Sequence, residues 1–410
     1  MSFQVALSGL AAAQTELDVT GNNIANVATT GFKQSRAEFT DIYATSIQDL
    51  GTQAAGRGVR VARVSQQFSQ GTVEFTSNNL DLAINGEGFF VLEDAVGSRY
   101  YSRAGALSVD REGYIVNHAA QSLQAYPPLG DSGDFDTGTV ADLQLNLQPS
   151  APNPSTEIIA GLNINASDIA PTVAFVPAAP TATMYNSASS ITIYDSLGDS
   201  HTATMYFRKT AANTWQVYQS IDGGTADGPE VIVFDSAGAL VPVSSGGDGI
   251  VSFGPYAFTN GAAAISLELD FNTATQYAGE FGVNDLSQDG YTSGRLNGID
   301  VDDTGVVFAR FTNGRSTSLG QVVLAKFNNP SGMGKEGGNN WTETFESGDA
   351  QLGEAGTSSF GSIQSGALEL SNVDIASQLV KLIVAQRNFQ ASAKAITTSD
   401  QVTQAVINIR

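Results

Sequence analysis

Two histidines, one run of aspartates and a large excess of carboxylates are the side chains here whose types could support catalysis or metal binding. His118 lies between Val116-Asn117 and Ala119-Ala120, and His201 opens a strand-like run after a turn. A shared site would require two separate β regions to bring them together, and hydrogen-bonded structural histidines are the plainer expectation. Asp300-Val301-Asp302-Asp303-Thr304-Gly305 places Asp, Asp and Gly as the start of an EF-hand loop does. The twelfth position is Phe311 rather than a bidentate Glu, and no helices flank the run, so a tight acidic turn is expected. No Gly-x-Ser-x-Gly elbow, phosphate loop or dinucleotide fingerprint is present. Carboxylates are too abundant for any pair to mark a glycosidase. With no cysteine, disulfides, thiolate zinc sites and Cys nucleophiles are excluded together. Neither an enzyme nor a cofactor or metal site is expected.

The charge narrows the partners. The 410 residues hold 41 Asp and Glu against 19 Lys and Arg, a formal net of -22, and residues 131–303 carry 21 acidic and 3 basic side chains. Such a surface repels polyphosphates and anionic lipid, so nucleic acid is not an expected partner. No apolar run is long enough to span a bilayer, and no membrane insertion is expected. The first residues lack the basic and apolar regions and the cleavage site of a secretory signal, so any export is expected by another route.

The elements that organise this chain are its two ends. A helical stretch from Ser2 to about Thr20 precedes Gly21-Asn22-Asn23-Ile24-Ala25-Asn26, and Asn372 to Ile409 reads as one long helix without Gly or Pro. In the first, Phe3, Leu7, Leu10, Leu17 and Ile24 follow a four-then-three spacing, with Gln14 and Gly21 in the remaining positions. In the second, Ile375, Leu379, Leu382, Phe389, Ala393 and Ile396 do the same around Gln386. Apolar residues recurring about every 3.5 positions form a stripe that packs on a partner helix, usually as a left-handed coiled coil. Beyond Ile396 the stripe drifts to Val402, Val406 and Ile409, which implies a stutter. Ordinary amphipathic helices on a globular core are the alternative. Neither helix is expected to be stable alone, since short isolated helices are marginal in water.

Between the ends the sequence reads as β. The expected fold class is mainly β with α-helical termini: a coiled-coil-like helical domain plus two all-β domains, the second inserted in the first. Residues 1–30 and 370–410 would form the helical domain, and 31–70 with 365–369 an extended connector containing Gly51 and one strand at Val59 to Val64. Residues 71–145 and 289–364 would form one β domain, and 146–288 the inserted outer one. Asn85-Gly86 is read as a hairpin turn between Leu80–Ile84 and Gly88–Leu92, Asp110 to Tyr114 as a second turn, and Ser196 to Asp199 as a third. Asn328 to Gln364 is rich in Gly, Asn and Ser.

Three segments carry a family resemblance. Leu7-Ser8-Gly9-Leu10, Asn22-Asn23-Ile24-Ala25-Asn26 and Thr30-Gly31-Phe32-Lys33 resemble the N-terminal signature of bacterial flagellar rod and hook proteins. Asn79-Leu80-Asp81-Leu82-Ala83-Ile84-Asn85-Gly86-Glu87-Gly88-Phe89-Phe90 resembles their shared β core, and Asn372 to Arg410 resembles their C-terminal helix. Tyr194-Asp195-Ser196-Leu197-Gly198-Asp199-Ser200-His201, with Met205-Tyr206-Phe207, Trp215 and Thr292-Ser293-Gly294-Arg295-Leu296, resembles the middle domain of the hook branch, which the shorter distal rod proteins lack. The resemblance implies a self-assembling helical tube outside the cell, joining rod to filament as a universal joint. It also implies type III export through the flagellar apparatus, a hook cap during assembly, and the distal rod protein and hook-filament junction protein as neighbours. A distal-rod-like subunit and an adhesin with oligomerising helices are the competing readings. On the hook reading, Phe3, Leu7, Leu10, Leu17, Ile24, Leu379, Leu382, Phe389 and Ile396 are the assembly residues, and the helices stay disordered until assembly.

Overall fold

The computed structural model describes residues 3–42, 56, 58–130, 133–146, 148–241, 248–357 and 359–408, with the side chain of Val406 excepted. Ser2, Gly51, Ile409 and Arg410 lie outside the described residues. The chain forms two compact units. The first comprises residues 1–147, 298–310 and 316–410, and the second comprises 148–297 and 311–315. The chain is mainly β with a helix at each end, and the second unit is an insertion in the first.

In the first unit, helix α1 (Phe3–Ala25) is followed by an antiparallel hairpin of β1 (Ser35–Asp41) and β2 (Val59–Gln66). The connector therefore holds two strands where the sequence suggested one. Ser35-Arg36-Ala37-Glu38 carries too little apolar alternation to announce β1, which is specified by its partner. The strands β3 (Val73–Phe75), β4 (Leu82–Asn85), β5 (Phe89–Glu93) and β6 (Arg99–Ser102) then pair with residues far along the chain: Glu74 with Leu368, Ile84 with Ile363, Phe90 with Leu324 and Tyr101 with Trp341. Two apolar clusters, around Phe90, Leu123 and Val322 and around Phe89, Tyr101 and Trp341, fill this sheet system. Because the outgoing and returning halves share one sheet, the two chain ends leave it together. Helix α2 (Ile375–Asn408) completes the unit.

Asn85-Gly86 does not form the expected hairpin, because β4 pairs with Ser362–Ser365 while β5 pairs with β6. A type I′ turn needs positive φ at both central residues. Here only the glycines adopt it, Gly86 at 118° and Gly88 at 133°, and the chain crosses from one ladder to another. The Asp110 to Tyr114 turn does join two paired strands, Ser108–Val109 and Ile115–Val116. The Gly- and Asn-rich segment after Asn328 contributes four short strands, which glycine content hid from pattern reading.

The second unit is a β sandwich. One sheet orders Ile250–Tyr256, Ile265–Asp270, Glu157–Asn163 and Gly282–Gln288, and the other runs consecutively from Ser187–Tyr194 to Leu240–Val241. Alternate residues of both sheets, among them Leu162, Leu267, Met205, Phe207 and Trp215, interdigitate in one core. Ser196 to Asp199 is the turn of a hairpin whose register begins with Tyr194 opposite Ser200.

Candidate assembly site

The terminal helices run antiparallel along each other, with Gly9 against Ser392 at one end and Asn23 against Gln378 at the other. Asp374 caps α2 by accepting the Ser377 N–H at 2.7 Å, the usual remedy for unpaired amides at a helix start. The less exposed positions of α1 include Ala6, Leu10, Ala13, Leu17, Thr20 and Ile24 at heptad spacing, with Val5, Gly9, Ala12, Glu16, Val19 and Asn23 beside them, since α1 also packs on β1 and β2. Those of α2 are Gln378, Leu382, Ala385, Phe389, Ser392, Ala393, Ile396 and Ser399. A heptad spacing runs through both sets, and small and polar residues share the seam with the apolar ones that the sequence suggested. Leu10, Leu17, Ile24, Leu382, Phe389 and Ile396 belong to it. Phe3, Leu7 and Leu379 do not, at 47%, 49% and 45% exposure. Small residues, among them Ala6, Ala13, Ala385 and Ser392, take seam positions in both helices, and bulkier apolar groups such as Leu7 and Leu379 lie outside it.

Those outside groups form two flanks of α2. At about 100° per residue, Leu379 and Ile383 lie on one side of the seam, and Lys381, Val384 and Asn388 on the other. The second flank joins α1, β1 and β2 around a groove of about 1010 Å³, bounded by Ala13, Ala37, Val59, Val384 and Ala385.

The Asn-rich signature has a division of labour. Asn23 is buried; its amide donates to the Ser35 carbonyl and accepts the Ser35 N–H, each at 2.8 Å, imitating a strand neighbour, and it also reaches Gln378 Oε1. Asn26 turns back on the helix end, donating to the Asn22 carbonyl at 2.9 Å. Ile24 is half-buried, while Asn22 and Ala25 are exposed.

Gly31, Lys33 and Asn372, which carry part of the family resemblance, hold the helices to the β unit together with Arg103 and Glu369, which the sequence did not single out. Lys33, Arg103 and Glu369 are all buried. Glu369 Oε1 meets Lys33 Nζ at 2.5 Å and Oε2 meets Arg103 Nη1 at 3.2 Å, while the Gly71 N–H donates to Oε1. Burial pushes the Lys33 ammonium below its ordinary pKa, and the Glu369 carboxylate opposes that shift. Gly31 brings the chain here with φ of 68° and its N–H on the Glu369 carbonyl; a Cβ there would sit 2.5 Å from Ala104 N. Asn372 closes the same junction, accepting the Gln34 N–H and donating to the Gln67 carbonyl. The one sequence signal for Glu369 was its place between Leu368 and Leu370.

The residues first considered for chemistry are otherwise engaged. His118 is exposed in the first unit, and His201 lies in the second. Asp302 Oδ1 accepts the N–H groups of Thr304 and Val306, which makes the aspartate run a tight turn. Among the described residues no cluster of His, Cys, Asp or Glu is arranged for a metal ion, and no helix is long and apolar enough to cross a membrane. His201 is bracketed by two carboxylates: Nδ1 is 2.7 Å from Asp222 Oδ2 and Nε2 is 3.4 Å from Asp195 Oδ2. Partial burial lowers its pKa, but the two carboxylates more than offset that and raise it. Burial also disfavours the Asp195 carboxylate. Hydrogen bonds from Asn260, the Asp199 and Leu197 N–H groups and His201 overcome this and hold its pKa at about 2.

Terminal helices packed together, a β unit built from both halves of the chain and an inserted β sandwich define an axial subunit of the flagellar rod and hook type. Four family models match in order: flagella basal body rod protein over residues 3–33, flagellar hook protein FlgE/F/G D1 domain over 83–170, flagellar basal body protein FlaE D2 domain over 163–291, and flagellar basal body rod FlgEFG protein C-terminal over 364–409. The flagellar hook protein FlgE of Escherichia coli K12 is 39% identical, and that of Salmonella typhimurium 38%, each alignment covering 100% of both chains. The crystal structure of Helicobacter pylori flagellar hook protein FlgE2 covers 72% of this chain and 100% of its own, with a TM-score of 0.54 at 15% identity, a likeness of fold. The chain belongs to the flagellar hook protein FlgE family. Its role is that of a structural subunit of the hook, in a family of flagellar homopolymers.

Proposed function

We propose that this chain polymerises outside the cell into a flexible tube between the distal rod protein and the hook-filament junction protein. Subunits reach the growing end unfolded through the flagellar type III export apparatus and are placed beneath a hook cap. The terminal helices line the tube, and the chain has no catalytic role.

The observation that carries this reading is the apolar surface left over once α1 and α2 have paired. Phe3, Leu7, Ile375, Leu379 and Ile383 stay 45–50% exposed, a pattern that suits helices meeting further helices in a polymer better than helices finished within one chain. The inserted unit supplies the complementary property. Its acidic surface favours polar, wet, replaceable contacts between outer domains, as a tube that lengthens and shortens with each turn requires.

Electron microscopy of the purified, concentrated chain tests the proposal: short curved tubes are expected, and persistent monomers or compact closed oligomers would overturn it. A variant lacking residues 146–288 is expected to form tubes that bend differently.

A further inference from the structure

We infer that Phe345 is an intersubunit knob that seats in the α1/α2/hairpin groove of a second copy of this chain. The inference rests on the polymer reading above and goes beyond it, since neither the helix stripes nor the family signature includes Phe345.

Phe345 is 104% exposed, the most exposed large apolar side chain among the described residues. A fixed loop presents it. Thr344 N–H donates to Ser347 Oγ at 2.9 Å, the Glu346 and Ser347 N–H groups donate to Thr344 Oγ1, and Thr344 Oγ1 donates to the Gly332 carbonyl at 2.6 Å. Asn329 Nδ2 holds the Glu346 carbonyl at 2.9 Å. Every neighbour of the ring is thus tied down while the ring itself touches solvent. Exposing a Phe in this way has a cost in water and no counterpart within the chain.

The occupant is identified by charge and by connectivity. Glu343, Glu346 and Asp349 lie within four residues of Phe345 in the chain and are exposed. The groove is lined mainly by small and apolar residues with Gln34, Gln67 and Asn388 among them, and its charged residues are Glu16, Arg36 and Lys381. Neither Arg36 nor Lys381 has a carboxylate within ion-pair distance among the described residues, in a chain of net charge -22 where carboxylates outnumber cations two to one. An acidic, phenyl-tipped loop and a largely apolar groove in which two cations outside any direct ion pair face one carboxylate, Glu16, are complementary. Since Phe345 is wholly exposed, its own groove does not hold it. A knob and a groove on different parts of one subunit form a heterologous contact, and repetition of such a contact generates open helical polymers rather than closed dimers. The groove also lies on the flank of α2 opposite Leu379 and Ile383, so seating a knob leaves the other flank free for helix packing.

The cysteine-free chain makes the test direct. One population carries Phe345→Cys and a second carries Val384→Cys, or Lys381→Cys should Val384→Cys lower monomer stability. The two are copolymerised with excess unmodified chain and mildly oxidised. The expected product is a mixed disulfide dimer joining position 345 of one chain to position 384 or 381 of another, absent when either variant is used alone. In parallel, Phe345→Ser, which leaves the monomer fold unchanged, is expected to raise the threshold concentration for tube formation about tenfold, and Phe345→Leu to restore most of it. Tubes that form without the mixed disulfide, with an unchanged threshold for Phe345→Ser, would overturn the inference. Failure of the unmodified chain to form tubes would instead overturn the polymer reading itself.

Discussion

Lys33 Nζ and Glu369 Oε1 meet at 2.5 Å with both side chains closed off from solvent, joining residues 336 positions apart. The pair fastens the chain leaving α1 to the chain entering α2, beside the Gly31 and Asn372 hydrogen bonds at the same junction. Removing one partner of a buried ion pair costs about 3–5 kcal/mol, because the other charge is left unmatched. Glu369→Gln strands two cations, Lys33 and Arg103, and is expected to destabilise the first unit by that amount. Lys33→Met is expected to cost less, since Glu369 retains Arg103 and the Gly71 N–H. Urea unfolding read from Trp341 in a Trp215→Phe background checks the ranking, because each unit holds one of the two tryptophans. Equal losses would refute it.

Asn22 and Asn23 are neighbours with opposite expectations. Asn23→Ala removes an amide that satisfies both backbone groups of Ser35 and is expected to cost about 1–3 kcal/mol, the range for leaving buried polar groups unpaired. Asn22→Ala is expected to change stability by less than about 0.5 kcal/mol, since the side chain is exposed and Asn26 uses only the backbone carbonyl. The same unfolding assay separates them.

These two residues also show what the sequence could disclose. Helical period and terminal position made α1 and α2 legible, and alternation made most strands of the inserted unit legible. The small seam residues were passed over because periodicity weights Leu and Phe above Ala, Ser and Gly. Ala6, Ala13, Ala385 and Ser392 occupy the seam while Leu7 and Leu379 stay about half-exposed beside it, and Phe3, at the heptad position of Leu10, is exposed near the start of α1. The Lys33, Arg103 and Glu369 junction was illegible for a different reason: its members are scattered across the chain, and a single charged residue in a strand normally reads as a solvated one. β1 was hidden because its pairing with β2, rather than local propensity, specifies it, and the strands after Asn328 because their glycines mask any alternation.

The inserted unit should be sensitive to pH on both sides. A raised pKa at His201 means that the folded unit binds this proton more tightly than the unfolded chain does. That stabilisation is complete below the unfolded value of about 6.5 and is lost as pH rises through the folded value. Asp195 works in reverse: its contribution is present above 3.8 and is lost as pH falls through about 2. Melting followed by Trp215 fluorescence should therefore show declining stability above neutrality, and His201→Gln should flatten that decline. A slope unchanged by His201→Gln would remove the histidine as its cause.

The open flank of α2 provides the last expectation. Leu379 and Ile383 are each about half-exposed in the single chain, so Leu379→Ser with Ile383→Ser should alter monomer stability by no more than about 1 kcal/mol. In a tube these side chains would be covered by neighbouring helices, and burying a Leu or Ile fully is worth about 1.5–3 kcal/mol. Completing two half-buried residues therefore corresponds to roughly a ten- to hundredfold rise in threshold concentration. Phe389→Ala, which acts in the seam between α1 and α2, should instead weaken the pairing within one chain. Amide exchange on the monomer separates the two cases: Phe389→Ala is expected to speed exchange over residues 3–24, and the double serine variant is expected to leave it unchanged. If the double serine variant formed tubes at the unmodified threshold, the flank would have no part in assembly, and tube contacts would have to come from the groove side of α2 and the outer domains.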